Sequence, residues 1–361
     1  MKTDSVMRAQ SFDVVKAFAC VAVVLIHYNF PGEMGKSVKA FCTFAVPTFF
    51  MISGYFLPRV PVGEILPVEK IFGRVRKLFK LLFVSTLGYA VFFWVHDACL
   101  NQGTFMNVSD FCVKYLTAAK LAKFLVTNDG LFNVMLWFFG ALIYCYFVIL
   151  FFLRTERRLR RSWWSIPVLW VSMCLIQEFA KVVGFNGNFL RLAGVSDRSV
   201  LVLSSCFLFR ALPFFLFGTF LRSSAERVRT WNVPNWFFLS LAFLGGCIAV
   251  AEYWMLGHRI AQFYLGSYLA AVSLLIWAIR ATDVCAPKLA FIGCELSMLV
   301  YVLQVLGVKL VDALVKAGNL YATLQYKWTR GVLALGVTFA LALFINWFCN
   351  WFCRLQRRIK G

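Results

Sequence analysis

The chain has 361 residues, of which 61% are hydrophobic and only 15% are charged, and its mean hydropathy is +0.76. These values exclude an ordinary soluble protein, in which about half of the residues are apolar and about a quarter are charged. They also exclude a disordered chain, because disorder requires low hydrophobicity. The net charge of +21 fits the basic cytoplasmic loops of a membrane protein better than a nucleic-acid surface. The composition therefore predicts an all-α polytopic membrane protein.

A membrane-spanning helix needs about 20 mainly apolar residues. About ten segments meet this requirement, at 12–30, 39–58, 78–95, 131–153, 162–181, 199–221, 233–256, 260–280, 289–311 and 329–353. With the N-terminus in the cytoplasm, the dense Lys and Arg clusters all fall on the inner side, which predicts that both termini are cytoplasmic. We expect a single integral-membrane domain over residues 1–361 with no separate soluble domain. The first span contains charge, unlike a cleaved signal peptide, and is expected to stay.

The first predicted span carries three ionisable residues, Asp13, Lys16 and His27. Helical geometry places Lys16 and His27 on one face, roughly 16 Å apart along the axis, with Asp13 within about 60° of that face. Ionisable groups inside a membrane are costly and often mark a functional cavity. An imidazole exchanges a proton near neutral pH, so His27 is suited to act as a general base on a hydroxyl. A core histidine bonded to a neighbouring helix is the alternative.

Two further features follow along the chain. The second span contains Pro47, Ser53 and Gly54, which favour either a helix break beside a cavity or a simple kink. The basic run from Lys70 to Lys80 includes Arg74 and Arg76. It is either an anchor that fixes topology or a site for a phosphorylated ligand, because the guanidinium fork matches phosphate oxygens.

Arg210 lies within the sixth predicted span, and Glu252 ends the seventh. A buried arginine needs a partner, which either Glu252 or Glu178 would supply, and a structural ion pair is as good an interpretation as a site. The three histidines are far apart, and metal-ligand and nucleotide-binding motifs are missing from the sequence. We therefore expect no metal, no bound cofactor and no nucleic-acid partner.

The longest predicted extramembrane segment is 96–130, on the outer side. Ser109 and Asp110 form a plausible helix start, and the residues after them predict one amphipathic helix whose apolar face comprises Phe111, Tyr115, Ala118, Ala122 and Leu125. This helix would lie on the membrane interface or pack as an ordinary loop helix.

Taken together, these residues resemble the membrane-bound acyltransferase 3 family, which O-acylates surface glycans and related acceptors. The resemblance covers the whole chain and is most specific in the first 80 residues. It rests on Ser11-Phe12-Asp13, the ten-residue interval between Lys16 and His27, the stretch from Val46 to Leu57, Arg74-Val75-Arg76, Trp137-Phe138, and the stretch from Arg210 to Gly218. One departure is Gln304, near the place where relatives often carry a histidine.

The resemblance implies acyl-coenzyme A as co-substrate, acetyl being the family default, and a glycan or lipid-linked sugar as acceptor. It implies a bacterial cytoplasmic (inner) membrane, with membrane lipids as surroundings. His27 would be the general base or a transient acyl carrier, and Arg74 and Arg76 would hold donor phosphates. Lys16 would hold the donor or a developing charge. Asp13, Ser53, Arg210 and Glu252 complete the predicted substrate-binding set.

Two other functions fit the same pattern of helices. One is a transporter or flippase that moves a glycan or small metabolite without covalent chemistry. The other is a structural subunit of an envelope complex. The sequence leaves open the acceptor, the acyl chain, the choice between direct transfer and an acyl-enzyme, the oligomeric state, and whether Gln304 replaces a functional histidine.

Overall fold

A computed structural model describes residues 10–28, 30–100, 104–128, 130–173, 175, 206–255, 264–318 and 323–360. These residues form helices joined by short turns. Within the described ranges, the only β-type pairing is an isolated bridge between Ile65 and Thr155. The predicted all-α fold class is confirmed.

The helices are numbered here in chain order. They are α1 (Gln10–His27), α2 (Gly32–Cys42), α3 (Ala45–Tyr55), α4 (Val68–Leu100), α5 (Val108–Tyr115), α6 (Ala118–Thr127), α7 (Trp137–Phe151), α8 (Glu156–Arg161), α9 (165–173), α10 (Phe207–Arg210), α11 (Leu212–Ser223), α12 (Ala225–Arg229), α13 (Asn235–Met255), α14 (Leu265–Arg280), α15 (Pro287–Phe291), α16 (Ser297–Ala317) and α17 (Leu324–Lys360). A π-helical turn (Ile292–Leu296) joins α15 to α16.

Seven helical segments are long and apolar enough to cross a membrane: Gln10–His27, Gly32–Tyr55, Val68–Ala98, Val134–Phe151, Asn235–Met255, Pro287–Lys316 and Gln325–Arg354. The shorter apolar helix α14 (Leu265–Arg280) lies within the predicted span 260–280, of which 260–263 are outside the described residues. These segments show a multi-pass membrane protein. The predicted spans 162–181 and 199–221 lie partly outside the described residues. The count of ten and the cytoplasmic termini therefore stay predictions.

The chain divides into two units. The first combines the residues up to Ile52 with those from Ser224 onwards, and the second runs from Ser53 to Ser223. The prediction of one domain over 1–361 stays a prediction.

Helix α1 is the central helix of the first unit. It packs against α2, α14, α15, α16, α17 and the π-helical turn. These neighbours bury most of α1 between Ser11 and Val24, with Phe18 exposed. The helix that carries Asp13, Lys16 and His27 is therefore held by several neighbours at once.

The second predicted span is interrupted rather than kinked. Helix α2 ends at Cys42, and α3 begins at Ala45 after a turn in which the Thr43 hydroxyl bonds to the carbonyl of Ala40. Pro47 lies in the first turn of α3, where an amide hydrogen would have no helical partner in any case. Pro47 therefore starts the second half of the span and does not bend a continuous helix.

The prediction of a single amphipathic helix starting at Ser109 is wrong. The segment forms two helices, α5 and α6, because Asn107 and Thr117 each cap a separate N-terminus. The Asn107 side-chain oxygen accepts a hydrogen bond from the backbone amide of Asp110 at 2.8 Å, and the Thr117 hydroxyl accepts one from the backbone amide of Lys120. Capping side chains of this kind compete with helix continuation. The predicted apolar face is consequently divided between two helices.

Candidate functional site

An ion pair is buried in the first half of α1. Lys16 Nζ lies 3.0 Å from Asp13 Oδ1, and the two side chains are 12% and 7% exposed. Residues three apart face each other on a helix, so the sequence spacing alone places this pair. A buried ion pair must overcome a large desolvation cost, which makes Asp13 and Lys16 a functional candidate in a membrane segment.

The π-helical turn lies directly against the backbone of Asp13. A Cβ at Gly293 would stand 1.7 Å from the carbonyl oxygen of Asp13, so only glycine permits the contact. Single π-helical turns are frequent at functional sites. No local sequence pattern predicts this turn.

His27 is the last residue of α1 and is half-buried. Its ring meets the ring of Tyr28 edge-on, with centroids 6.5 Å apart. Lys16 and His27 lie on one continuous helix, as the spacing predicts. The end of α1 is also fixed by α17, because a Cβ at Gly331 would come within 2.3 Å of the Tyr28 carbonyl oxygen.

A polar cluster from α16 and α17 holds that end of α1. Arg330 donates to both oxygens of Asp312 at 2.9 and 2.8 Å, and the Tyr326 hydroxyl also donates to Asp312. The same guanidinium lies over the Tyr28 ring. The sequence analysis did not single out these residues, because no local pattern links Asp312 to Arg330.

Gln304 is fully buried in α16. Neither its amide nitrogen nor its amide oxygen has a hydrogen-bond partner among the described residues. Its neighbour Leu303 packs in an apolar cluster with Cys20 and Val24 of α1. An amide thus occupies a deep position in the first unit, where leaving it without a partner is costly.

In the second unit, Arg74 and Arg76 point to different places. Arg74 is half-buried, donates to the carbonyl of Phe56 at 2.7 Å and hydrogen-bonds Tyr146 of α7. Arg76 is exposed and lines a groove beside Phe72. Helical residues two apart do not face each other, so the two guanidinium groups do not form one common fork.

The comparison with protein families decides the class. A family described as an acyltransferase domain matches residues 10–347, nearly the whole chain. The chain belongs to the acyltransferase 3 family. This confirms the resemblance drawn from the sequence motifs, and every predicted site residue lies inside the matched range. No curated protein and no solved structure matches the chain.

In this acyltransferase, a further buried ion pair holds the loop after α3. Arg222 of α11 is 3% exposed and donates to both oxygens of Glu156 at 3.1 and 2.9 Å. It also donates to the carbonyls of Leu57 and Pro58. The loop is further joined by the Leu66 amide to the carbonyl of Arg154 at 2.9 Å. The basic cluster at 154–161 predicts topology from the sequence, but no local pattern there links Glu156 to Arg222.

Each of the remaining predicted residues of the acyltransferase has contacts of its own within its unit. Ser53 is half-buried in α3, and the guanidinium of Arg210 lies 4.4 Å from the Trp137 ring centre. Both oxygens of Glu252 accept backbone amides at the start of α14, from Leu265 at 2.8 Å and Gly266 at 3.0 Å. Glu252 is thus a helix cap. Glu178, the other partner considered for Arg210, lies outside the described residues.

The paired helices α5 and α6 are tied to α4 by Asp97. Lys114 and Tyr115 donate to the same carboxylate oxygen of Asp97 at 2.8 and 2.9 Å. The hydrogen bond to Asp97 raises the pKa of Lys114, and burial, followed by the bond to Asp97, raises the pKa of Tyr115. Both donors therefore stay protonated at neutral pH and hold α5 in place.

Proposed function

We propose that this acyltransferase moves an acyl group, with acetyl the simplest case, from cytoplasmic acyl-coenzyme A to a hydroxyl of a cell-envelope glycan or lipid-linked sugar. The proposal places the protein in a bacterial cytoplasmic membrane. The observation that carries it is the family match over residues 10–347, in a chain whose first spanning helix ends in a half-buried histidine. A transporter would need neither an acyltransferase domain nor an imidazole at this position.

In the proposed reaction, the His27 imidazole takes the proton from the acceptor hydroxyl. The acceptor oxygen attacks the thioester carbonyl, and a C–O bond forms. The tetrahedral intermediate collapses with cleavage of the C–S bond, and the coenzyme A thiolate receives the proton from the imidazolium. The products are an ester and free coenzyme A. In the two-step variant, the imidazole nitrogen attacks the thioester carbonyl, the C–S bond breaks, and coenzyme A leaves as the thiol with the proton of the imidazole. The acceptor hydroxyl then attacks the acyl-imidazole, the C–N bond breaks, and the hydroxyl proton returns to the imidazole as the ester forms.

Lys16 and Asp13 support this chemistry in the proposal. An ammonium held beside a carboxylate in a low-dielectric setting is a fixed cation, which stabilises the donor or a negative charge that develops during transfer. Arg76 is proposed to contact donor phosphates, since guanidinium groups are the preferred phosphate ligands. Arg74 already donates to the carbonyl of Phe56, so its contact with donor phosphates stays a prediction. Ser53, Arg210 and Glu252 stay predictions as substrate contacts.

The test compares His27→Ala with His96→Ala, a matched change at the half-buried histidine of α4. Cells with matched membrane levels of each variant are grown, envelope glycans are extracted, and ester-linked acids are released by mild base and quantified. We expect the ester to persist in the wild type and in His96→Ala and to disappear in His27→Ala. Equal ester in all three would contradict a catalytic His27. Movement of a glycan across vesicles without a new ester would identify a transporter.

A further inference from the structure

A groove of about 400 Å³ lies within the second unit, between α4, the end of α6 and α7. Its wall is mainly apolar and includes Phe72, Phe79 and Phe147. The volume falls in the range of about 300–1,000 Å³ that small-molecule sites occupy. Along α4 the lining residues extend from Phe72 to Leu82, a rise of about 15 Å. The groove therefore fits an elongated ligand.

Asn128 is the polar side chain buried in this wall. It is 2% exposed, and neither its amide nitrogen nor its amide oxygen has a hydrogen-bond partner among the described residues. Its backbone is left-handed, with φ of 62°, a conformation that asparagine tolerates. Gly140 lies across from it, where a Cβ would be 3.2 Å from the Asn128 Cβ. A buried amide with both its donor and acceptor open is costly and is complementary to another amide.

The groove also has a cation. Arg76 lines it and is exposed. Arg76 belongs to a run of five basic residues between Lys70 and Lys80, and the sequence has no Asp or Glu from Lys70 to His96. The matching ligand therefore has an anionic end, a slender and largely apolar body, and an amide within that body.

We propose that this groove binds the pantetheine arm of the acyl-coenzyme A donor. Asn128 pairs with one of the two amides of the arm, and Arg76 meets the phosphates at its end. The inference rests on the proposed function, because it names where the proposed donor is held. A lipid tail would fill the apolar wall equally well, but hydrocarbon would leave the donor and acceptor of Asn128 unpaired.

The experiment uses the purified full chain in detergent and measures binding by calorimetry. Two probes are compared: coenzyme A, and 3′-phospho-ADP, which has the same phosphates and lacks the arm. The wild-type protein is expected to bind coenzyme A more tightly than 3′-phospho-ADP. Asn128→Gly keeps the left-handed backbone and removes the side-chain amide. It should weaken the binding of coenzyme A about tenfold and leave the binding of 3′-phospho-ADP unchanged. Ile143→Trp, which fills the groove, should have the same selective effect.

The matched control is Asn107→Gly, the same substitution at the exposed cap of α5, which should bind both probes as wild type does. Equal weakening of both probes by Asn128→Gly, or no weakening, would overturn the proposal. Unchanged coenzyme A binding with less co-purified phospholipid would assign the groove to a lipid instead. Wild type that binds coenzyme A and 3′-phospho-ADP equally would overturn the groove assignment alone. Wild type that binds neither would overturn the donor in the proposed function as well.

Discussion

The guanidinium carbon of Arg330 lies 5.9 Å from the centre of the Tyr28 ring, and Tyr28 directly follows His27 in the chain. A cation over an aromatic face at this distance is attracted to it. Asp312 fixes the guanidinium through two hydrogen bonds. The position of the proposed catalytic histidine therefore depends on a residue more than 300 positions away in sequence.

Arg330→Ala should reduce catalysis more than donor binding. Losing the paired hydrogen bonds to Asp312 should lower the free energy of unfolding by about 2 kcal/mol and loosen the end of α1. We expect kcat to fall while KM for acyl-coenzyme A stays the same, because Arg330 contacts Tyr28, the residue next to His27, and the proposal assigns the donor to Arg76. Thermal unfolding in detergent and steady-state release of coenzyme A thiol measure the two effects.

The control for that prediction is Lys327→Ala, which removes an exposed cation on the same helix. Lys327→Ala should change neither the unfolding temperature nor kcat. A lower unfolding temperature with unchanged kcat in Arg330→Ala would limit Arg330 to a role in stability.

Glu156→Gln should destabilise the protein strongly. It leaves the charge of Arg222 buried without a counter-charge, which costs about 3–5 kcal/mol when one partner of a buried pair is removed. Glu226→Gln breaks the exposed pair with Arg229 and should cost less than about 1 kcal/mol. Denaturation midpoints of the two variants in the same detergent give the comparison, and equal midpoints would show that the Arg222 pair contributes little.

Single substitutions at Arg74 and Arg76 should have different effects, one on stability and the other on coenzyme A binding. Arg74→Lys loses the planar contacts to Phe56 and Tyr146, so stability should fall. Arg76→Gln should leave the unfolding temperature unchanged and weaken coenzyme A binding, with the greatest difference at low salt, where exposed charges are least screened. Binding measured at two ionic strengths checks this. Identical behaviour of the two variants would mean that they act as one site after all.

Gly293→Ala should destabilise the first unit. The new methyl group would stand 1.7 Å from the Asp13 carbonyl oxygen, so α1 and the π-helical turn must separate, at a cost of up to about 3 kcal/mol. Gly336→Ala places a methyl in α17 where no atom lies within 4 Å, and it should stabilise the helix by about 0.5–1 kcal/mol. Opposite shifts in unfolding temperature are the expected result, whereas parallel shifts would contradict the tight contact at Asp13.

The sequence by itself determined the membrane class, the helical fold and the placement of Asp13, Lys16 and His27 on one helix. These follow from local properties, since hydropathy acts residue by residue and the helical period fixes which neighbours share a face. The family motifs were local as well, and they gave the acyltransferase class. The same reasoning failed at α5 and α6, where Asn107 and Thr117 offered two caps and only one start was predicted.

Only the tertiary structure decided which polar groups on different helices meet. The pairs Arg222 with Glu156 and Arg330 with Asp312 join different helices, so they depend on how the helices pack and not on a spacing in the chain. The groove that contains Asn128 is formed by three separate elements. No single segment of the sequence predicts it. In a membrane the apolar side chains fit lipid and protein almost equally well, so hydropathy alone does not select the partners of a helix, and close packing with satisfied polar groups does.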